Sequence, residues 1–167
     1  AVEATRDQLG LAMPPDEAYL GLRGLRTMAV RLPVHWQNGL KLASYLAGRE
    51  EVSNVLHPAM EQDPGYAIWS RDFTGASGLF SVVMRSDLSW EQLNVFLGAL
   101  KLYGLGYSWG GFESLCVLQS PKTVRTGSQW PRPGIGAGYV LRFHAGLEDA
   151  DDLIDDVEQA FTAMKKA

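Results

Sequence analysis

The sequence predicts an α+β fold: a two-layer α/β arrangement in which a small, mostly antiparallel sheet carries helices on one face, preceded by a long kinked helix. Three observations predict it. Short runs rich in valine and aromatics stand at 52–58, 77–84, the second half of 102–120, and 138–145. Stretches with apolar residues at helical spacing flank and separate them. The chain has 167 residues, with no internal repeat and no low-complexity segment, which suits one hydrophobic core.

The elements follow in order. The opening, AVEATRDQLGLAM, is polar and helix-compatible and lacks an initiator methionine, so it reads as cut from something longer. A helix is expected from Pro14 to Gly48. Pro15-Asp16-Glu17 puts proline and acids in its first turn, where they are tolerated or favoured. Leu22, Leu25, Met28, Ala29 and Leu32 recur at helical spacing. Pro33 lacks an N–H and is expected to kink or divide the helix. Beyond it Leu40, Ala43 and Ala47 share one side, with Leu42, Tyr45 and Leu46 beside them, and Gly48 is expected as the C-cap.

VSNVLHP then reads as a strand stopped by Pro58. Residues 59–74 read as irregular, with a turn at Asp63-Pro64-Gly65. SGLFSVVM reads as a core strand. A helix begins at Asp87 or Ser89, with Ser89 and Gln92 at capping-box spacing and Leu93, Phe96, Leu97 and Leu100 as its apolar positions. After a glycine-rich passage, SLCVLQS and GYVLRFHA read as strands. From Glu148 a final helix carries Leu153, Ile154, Val157, Ala160, Phe161 and Met164 on one stripe, acids first and Lys165-Lys166 last.

Composition narrows the function. Hydrophobic residues make up 46% and charged residues 20%, ordinary for a globular protein. A net charge of −4 argues against a nucleic-acid partner, whose binding surface is basic. No apolar run approaches the roughly 18 residues of a membrane span, so no membrane partner is expected. No secretory signal is legible at the start. The single cysteine, Cys116, permits no intramolecular disulfide and fits a reducing, cytoplasmic setting; in SLCVL it reads as a buried apolar residue.

Several chemistries find no support. His35, His57 and His144 lie far apart and none has metal-ligand spacing to another, so no metal site is expected. No G-x-S-x-G or P-loop pattern is present. GLGYSWGG and GIGAG lead into strands, whereas a phosphate-binding loop opens a helix.

Two constellations remain. If 138–145 alternates, Tyr139, Leu141, Phe143 and Ala145 pack under the helices, while Val140, Arg142 and His144 take the other, open face. Arg142 is then either merely solvated or a carboxylate anchor, its two parallel donors matched to a planar anion on a rigid strand. Tyr107-Ser108-Trp109-Gly110-Gly111 is either a tight bend with core aromatics or a close-approach loop. In the second case Ser108 and the Trp109 N–H complete the hydrogen bonds to an anion held by Arg142. Together the two suggest half of an amino-acid site.

YLGLRGLRTMAVRL, SGLFS, YSWGGFESL and LRFHAGLEDADDLIDDVEQAF stand in the order found in one family. Over essentially its whole length the chain resembles the C-terminal part of the Cys/Met-metabolism enzymes dependent on pyridoxal 5'-phosphate (PLP). Tyr-Ser-Trp-Gly-Gly and RDFTGASGLFS place it nearest the cystathionine β-lyase branch, with the γ-lyases and γ-synthases as alternatives.

The resemblance implies a fold-type I enzyme, a homo-oligomer built as a tetramer of two dimers, in which a large domain binds PLP through a Schiff-base lysine. Residues 1–33 would be the linker and helix joining that missing N-terminal domain, and residues 34–167 the C-terminal substrate-recognition domain. Arg142 would hold the α-carboxylate of an amino-acid thioether, assisted by Ser108 and the Trp109 backbone, with Tyr107 nearby. The reaction implied is β-elimination of L-cystathionine to homocysteine, pyruvate and ammonia, a step of methionine biosynthesis.

None of Lys41, Lys101, Lys122, Lys165 and Lys166 lies in the family's lysine motif, which belongs upstream of this chain. No catalytic residue and no covalently bound cofactor are therefore expected here, and the chain alone is expected to be inactive. Leu22, Leu25 and Met28 are expected to leave an exposed surface that drives self-association. A freestanding amino-acid sensor is the rival from another class, and a purely structural scaffold the weakest reading, since it leaves the clamp residues unexplained.

Overall fold

The structure is a computed structural model that describes residues 2–124, 127 and 129–166. They fall into two units, residues 1–31 and 32–167. The first unit holds α1 (Val2–Leu9) and the opening half of α2 (Pro15–Ala47). Leu22, Leu25 and Met28 are exposed there, and α1 buries nothing.

The second unit is α+β. After α2 come β1 (Val52–Leu56), α3 (Tyr66–Asp72), β2 (Leu79–Met84), α4 (Trp90–Ala99), β3 (Gly104–Leu105), β4 (Leu115–Gln119), α5 (Pro121–Val124), β5 (Val140–His144) and α6 (Ala150–Met164). The five strands form one sheet in the order β1-β2-β5-β4-β3. Every pairing is antiparallel except β3 with β4. β5 thus lies at the centre, with Arg142 opposite Ser81 on one side and Val117 on the other.

Cross-strand partners share a face. Phe80, Val82, Cys116, Leu118, Leu141 and Phe143 make one apolar face of the sheet. Against it pack Leu42, Ala43 and Leu46 of α2, Leu93, Phe96 and Leu97 of α4, and the α6 stripe from Leu153 to Met164, in a single core. Phe80 and Phe143 stack at 5.6 Å, and Phe96 meets Phe161 at 4.6 Å.

Local sequence explains most boundaries. Ser89 and Gln92 form the expected capping box of α4, each side chain bonded to the other residue's backbone N–H. Asp149 caps α6 by accepting from the Asp151 N–H at 2.8 Å.

Four expectations change. α2 continues through Pro33 and is not divided there. Its buried stripe is His35, Asn38, Gly39, Leu42, Ala43 and Leu46, whereas Ala47 is exposed. Gly48 ends the helix as expected, and what changes is its geometry: it takes no left-handed φ, and its N–H donates to the Tyr45 carbonyl. The irregular stretch 59–74 contains α3. That helix buries no residue, so it has no apolar stripe to betray it, but the expected turn starts it: Asp63 accepts from the Gly65 N–H at 2.7 Å.

Candidate functional site

The polar face of β5 builds the site. Arg142 and His144 lie on the sheet face opposite Leu141 and Phe143, as alternation predicts, although His35 of α2 reaches the His144 ring. That face is not open, however: Val83, Val117, Val140 and His144 are all buried on it. The correction has a local cause, because the glycine-rich segment 106–111 folds back over the end of β5 and buries His144 beneath it.

Arg142 is half-buried, and its Nη2 donates to three successive backbone carbonyls, those of Gly106 (3.3 Å), Tyr107 (2.6 Å) and Ser108 (3.3 Å). The strand arginine and the Tyr-Ser-Trp bend, 34 positions apart, are thus one structure. It is the Ser108 carbonyl, not its hydroxyl, that meets the guanidinium. Tyr107, Ser108 and Trp109 all expose their side chains, Tyr107 by 75% and Trp109 by 58%.

Arg6, Arg49, Arg71 and Arg85 each pair with a carboxylate. Arg142 has no salt bridge among the described residues, and its Nε is buried with no hydrogen-bond partner. Arg23, Arg26, Arg31 and Arg132 also lack a carboxylate partner among the described residues; what distinguishes Arg142 is a buried donor that nothing meets. A partly desolvated cation with an idle donor is costly unless an anion meets it. Carbonyl dipoles offset part of that cost and leave the charge uncancelled.

The frame around this cation is rigid. Gly110 takes φ +85°, a left-handed conformation that only glycine adopts without strain, and its N–H lies 3.1 Å from His144 Nε2. Behind it Glu148 accepts from the Ser114 N–H and hydroxyl at 2.8 Å each, while the Gly146 N–H donates to Ser114 Oγ. Asn38 donates to the Gly146 and Glu148 carbonyls, and His35 Nδ1 bonds the Ala145 carbonyl at 2.8 Å. Asp156 closes the other side by accepting from the backbone N–H groups of Lys101, Leu102 and Tyr103.

Sequence reasoning missed His35, Asn38, Ser114, Glu148 and Asp156. Each bonds to backbone many positions away, which leaves no local pattern. His144 lay in view on the Arg142 face but was weighed only as a metal ligand. His35 and His144, distant in sequence, bring their rings to 5.2 Å, and no cluster of three or more metal-ligating side chains exists among the described residues. Burial holds the His144 imidazole below its ordinary value, reinforced by His35 and Arg142 and opposed by the Gly111 carbonyl and Glu148. Burial also pushes the Cys116 thiol up, leaving it no nucleophile.

None of the lysines offers a seat for a carbonyl cofactor. All five are exposed, and Lys41 and Lys165 are tied to Asp151 and to Glu50 and Glu51. An imine-forming lysine needs a desolvated, unpaired amine, and none of these is one. No described helix is long and apolar enough to cross a membrane.

Comparison with known proteins gives a consistent answer. The family model described as Cys/Met metabolism PLP-dependent enzyme matches residues 1–162. A putative cystathionine beta-lyase of Rhizobium johnstonii is 46% identical over 158 residues, covering 93% of this chain and 39% of that protein. A cystathionine beta-lyase of Salmonella typhimurium is 42% identical over 159 residues, with the same two shares. A crystal structure of cystathionine gamma synthase from Xanthomonas oryzae pv. oryzae, in complex with aminoacrylate and cysteine, superposes with a TM-score of 0.80 at 31% identity. It covers 95% of this chain and 41% of that one. The chain therefore spans about two-fifths of the length of the relatives it matches.

Proposed function

The chain belongs to the Cys/Met metabolism PLP-dependent enzymes, and we propose that it is the C-terminal substrate-recognition portion of a carbon–sulfur lyase that splits L-cystathionine by β-elimination. One observation carries the reading: Arg142, rigidly placed on the central strand, is a half-buried guanidinium without a carboxylate partner among the described residues. An α-carboxylate supplies the missing anion. The 42% identity to a cystathionine beta-lyase of Salmonella typhimurium supports the β-lyase branch.

In this reading Arg142 binds the substrate carboxylate through its fork. Ser108 adds its exposed hydroxyl and Trp109 its backbone, and Tyr107 walls the site. The carbonyls of residues 106–108 keep the guanidinium aimed before substrate arrives, so less ordering remains to be done on binding. PLP, when bound, supplies the electron sink for the carbanion formed at Cα. The residues of this chain do not seat it; its lysine belongs to the large domain upstream of residue 1, and residues 1–167 alone have no lyase activity. The exposed Leu22, Leu25 and Met28 serve contacts with that domain or with another subunit of the homo-oligomer.

The test is Arg142→Ala in the enzyme that carries this chain together with its PLP domain. Losing a charge-assisted contact should lower kcat/KM more than tenfold, about 1.5–3 kcal/mol, while PLP absorbance persists. Unchanged kinetics would remove Arg142 from the site. Product analysis separates the branches: pyruvate from cystathionine supports β-elimination, and 2-oxobutyrate would assign the chain to a γ-lyase.

A further inference from the structure

We propose that His144 is a positioning residue that sets the register of the substrate loop by accepting the Gly110 N–H, with His35 biasing the ring toward the tautomer that makes this possible. The proposal rests on the reading that residues 107–109 contact the substrate. His144 Nε2 lies 3.1 Å from the Gly110 nitrogen and 3.1 Å from the Gly111 carbonyl oxygen. One neutral nitrogen cannot serve both. It accepts from Gly110 when the ring proton is on Nδ1, or donates to Gly111 when the proton is on Nε2. The two tautomers therefore select two different grips on the same glycine pair, next to Trp109.

His35 decides between them. Its Nδ1 faces the Ala145 carbonyl at 2.8 Å, and a carbonyl only accepts, so Nδ1 of neutral His35 carries the proton and Nε2 is left a bare lone pair. That Nε2 is buried without a partner, and so is Nδ1 of His144. The rings lie 5.2 Å apart. A lone pair beside His144 favours an N–H on Nδ1, which leaves Nε2 free to accept from Gly110. No hydrogen bond joins the two nitrogens, so the bias is electrostatic, exerted by one buried ring on the other.

Protonation undoes the grip. A doubly protonated ring has no acceptor, so the Gly110 N–H would face a donor. The groups bearing on this proton are His35 from α2, Arg142 from β5 and Glu148 from the turn before α6, while the loop itself presents backbone. Burial, with His35 and Arg142, outweighs the Gly111 carbonyl and Glu148, and the ring stays neutral at neutral pH.

The experiment compares His144→Gln and His144→Phe in the intact PLP enzyme, with Arg142→Ala alongside. A glutamine amide reaches the Nε2 position and accepts without titrating; phenylalanine fills the volume and accepts nothing. Phe is expected to raise KM for cystathionine about two- to tenfold, the net worth of the lost hydrogen bond to the loop, with kcat less affected. Gln is expected to restore KM and to abolish a rise in KM that the native enzyme shows on acidification below about pH 6.5. Native KM and native acid dependence in His144→Phe would overturn the proposal. If Arg142→Ala raises KM and His144→Phe does not, only this inference fails; if Arg142→Ala changes nothing, the substrate reading fails. Should the Phe variant not fold, nitrogen NMR of the native 167-residue chain decides: a protonated Nδ1 and bare Nε2 on His144 support the proposal, and the reverse tautomer overturns it.

Discussion

The Nη2 of Arg142 sits 2.6 Å from the carbonyl oxygen of Tyr107, so the residue that would take the substrate anion also holds the loop that would surround it. A guanidinium can do both because its donors are spread along a planar fork. Arg142→Lys keeps the charge but leaves one compact ammonium to share between carbonyl and carboxylate. In the intact enzyme kcat/KM for cystathionine should fall at least about tenfold, while the melting temperature moves little. Steady-state kinetics and a thermal melt of the same preparation check this. Near-native kinetics would mean that bidentate geometry is irrelevant.

Close backbone approach sets a second expectation. A Cβ on Gly78 would collide with the Ala145 carbonyl, which is locked because the Ala145 N–H donates to Gly78 at 2.8 Å. A Cβ on Gly39 would come to 3.0 Å from the Gly78 Cα, inside ordinary contact, so that backbone would have to give by a few tenths of an ångström. Gly78→Ala should therefore cost at least the upper part of the overpacking range, about 1–3 kcal/mol. Gly39→Ala should cost less, since the helix gains roughly 1 kcal/mol from replacing glycine by alanine. Urea unfolding of both variants ranks them; an equal cost would contradict the contact geometry.

The strands β2, β4 and β5 were legible as short runs rich in valine and aromatics, buried on both faces, and the helices α4 and α6 because each buries one face and so carries a period in its sequence. The cap residues Ser89 and Gln92 were legible for a similar reason, their partners lying within one turn. α3 and β3 bury too little to leave a pattern, and α5 is four residues long. Arg142 and Tyr107-Ser108-Trp109 stood out as polar or glycine-flanked residues in apolar company. Their union was not readable, because it is made by carbonyls, which every residue has. Likewise Asp156 looks like one more acid of an acidic helix start until the fold brings residues 101–103 to it.

That aspartate supports a third expectation. Asp156 is buried and accepts at 2.8–3.2 Å from three successive backbone N–H groups, and Gln159 also reaches it. Asp156→Asn keeps the shape, and with its oxygen in the Oδ2 place it turns an amide NH2 toward the Lys101 N–H and the Gln159 amide, two donors that met Oδ1 and now face another donor. The expected loss is about 1–3 kcal/mol in urea unfolding, with faster proteolysis near Leu102. Native stability would show that these bonds are replaced by water at no cost.

Acid sensitivity follows from His57. Its Nδ1 accepts from the Ala59 N–H at 3.1 Å, which places the proton on Nε2, and the ring is buried against Phe80. Burial holds its pKa below the ordinary 6.5, with Asp63 pulling weakly the other way. The unfolded chain takes up this proton near 6.5 and the folded chain only at lower pH. Between those values the unfolded state binds more protons, so stability rises with pH there. The contribution is complete above about pH 6.5 and is lost as pH falls from that value toward the folded pKa. His144, shifted in the same direction, adds to the slope. His57→Asn preserves an acceptor for Ala59 and cannot titrate, so its unfolding free energy should change less steeply than the native value between about pH 5 and 7. Urea denaturation across that range measures both slopes, and identical slopes would show that His57 protonates equally well in the folded and unfolded chain.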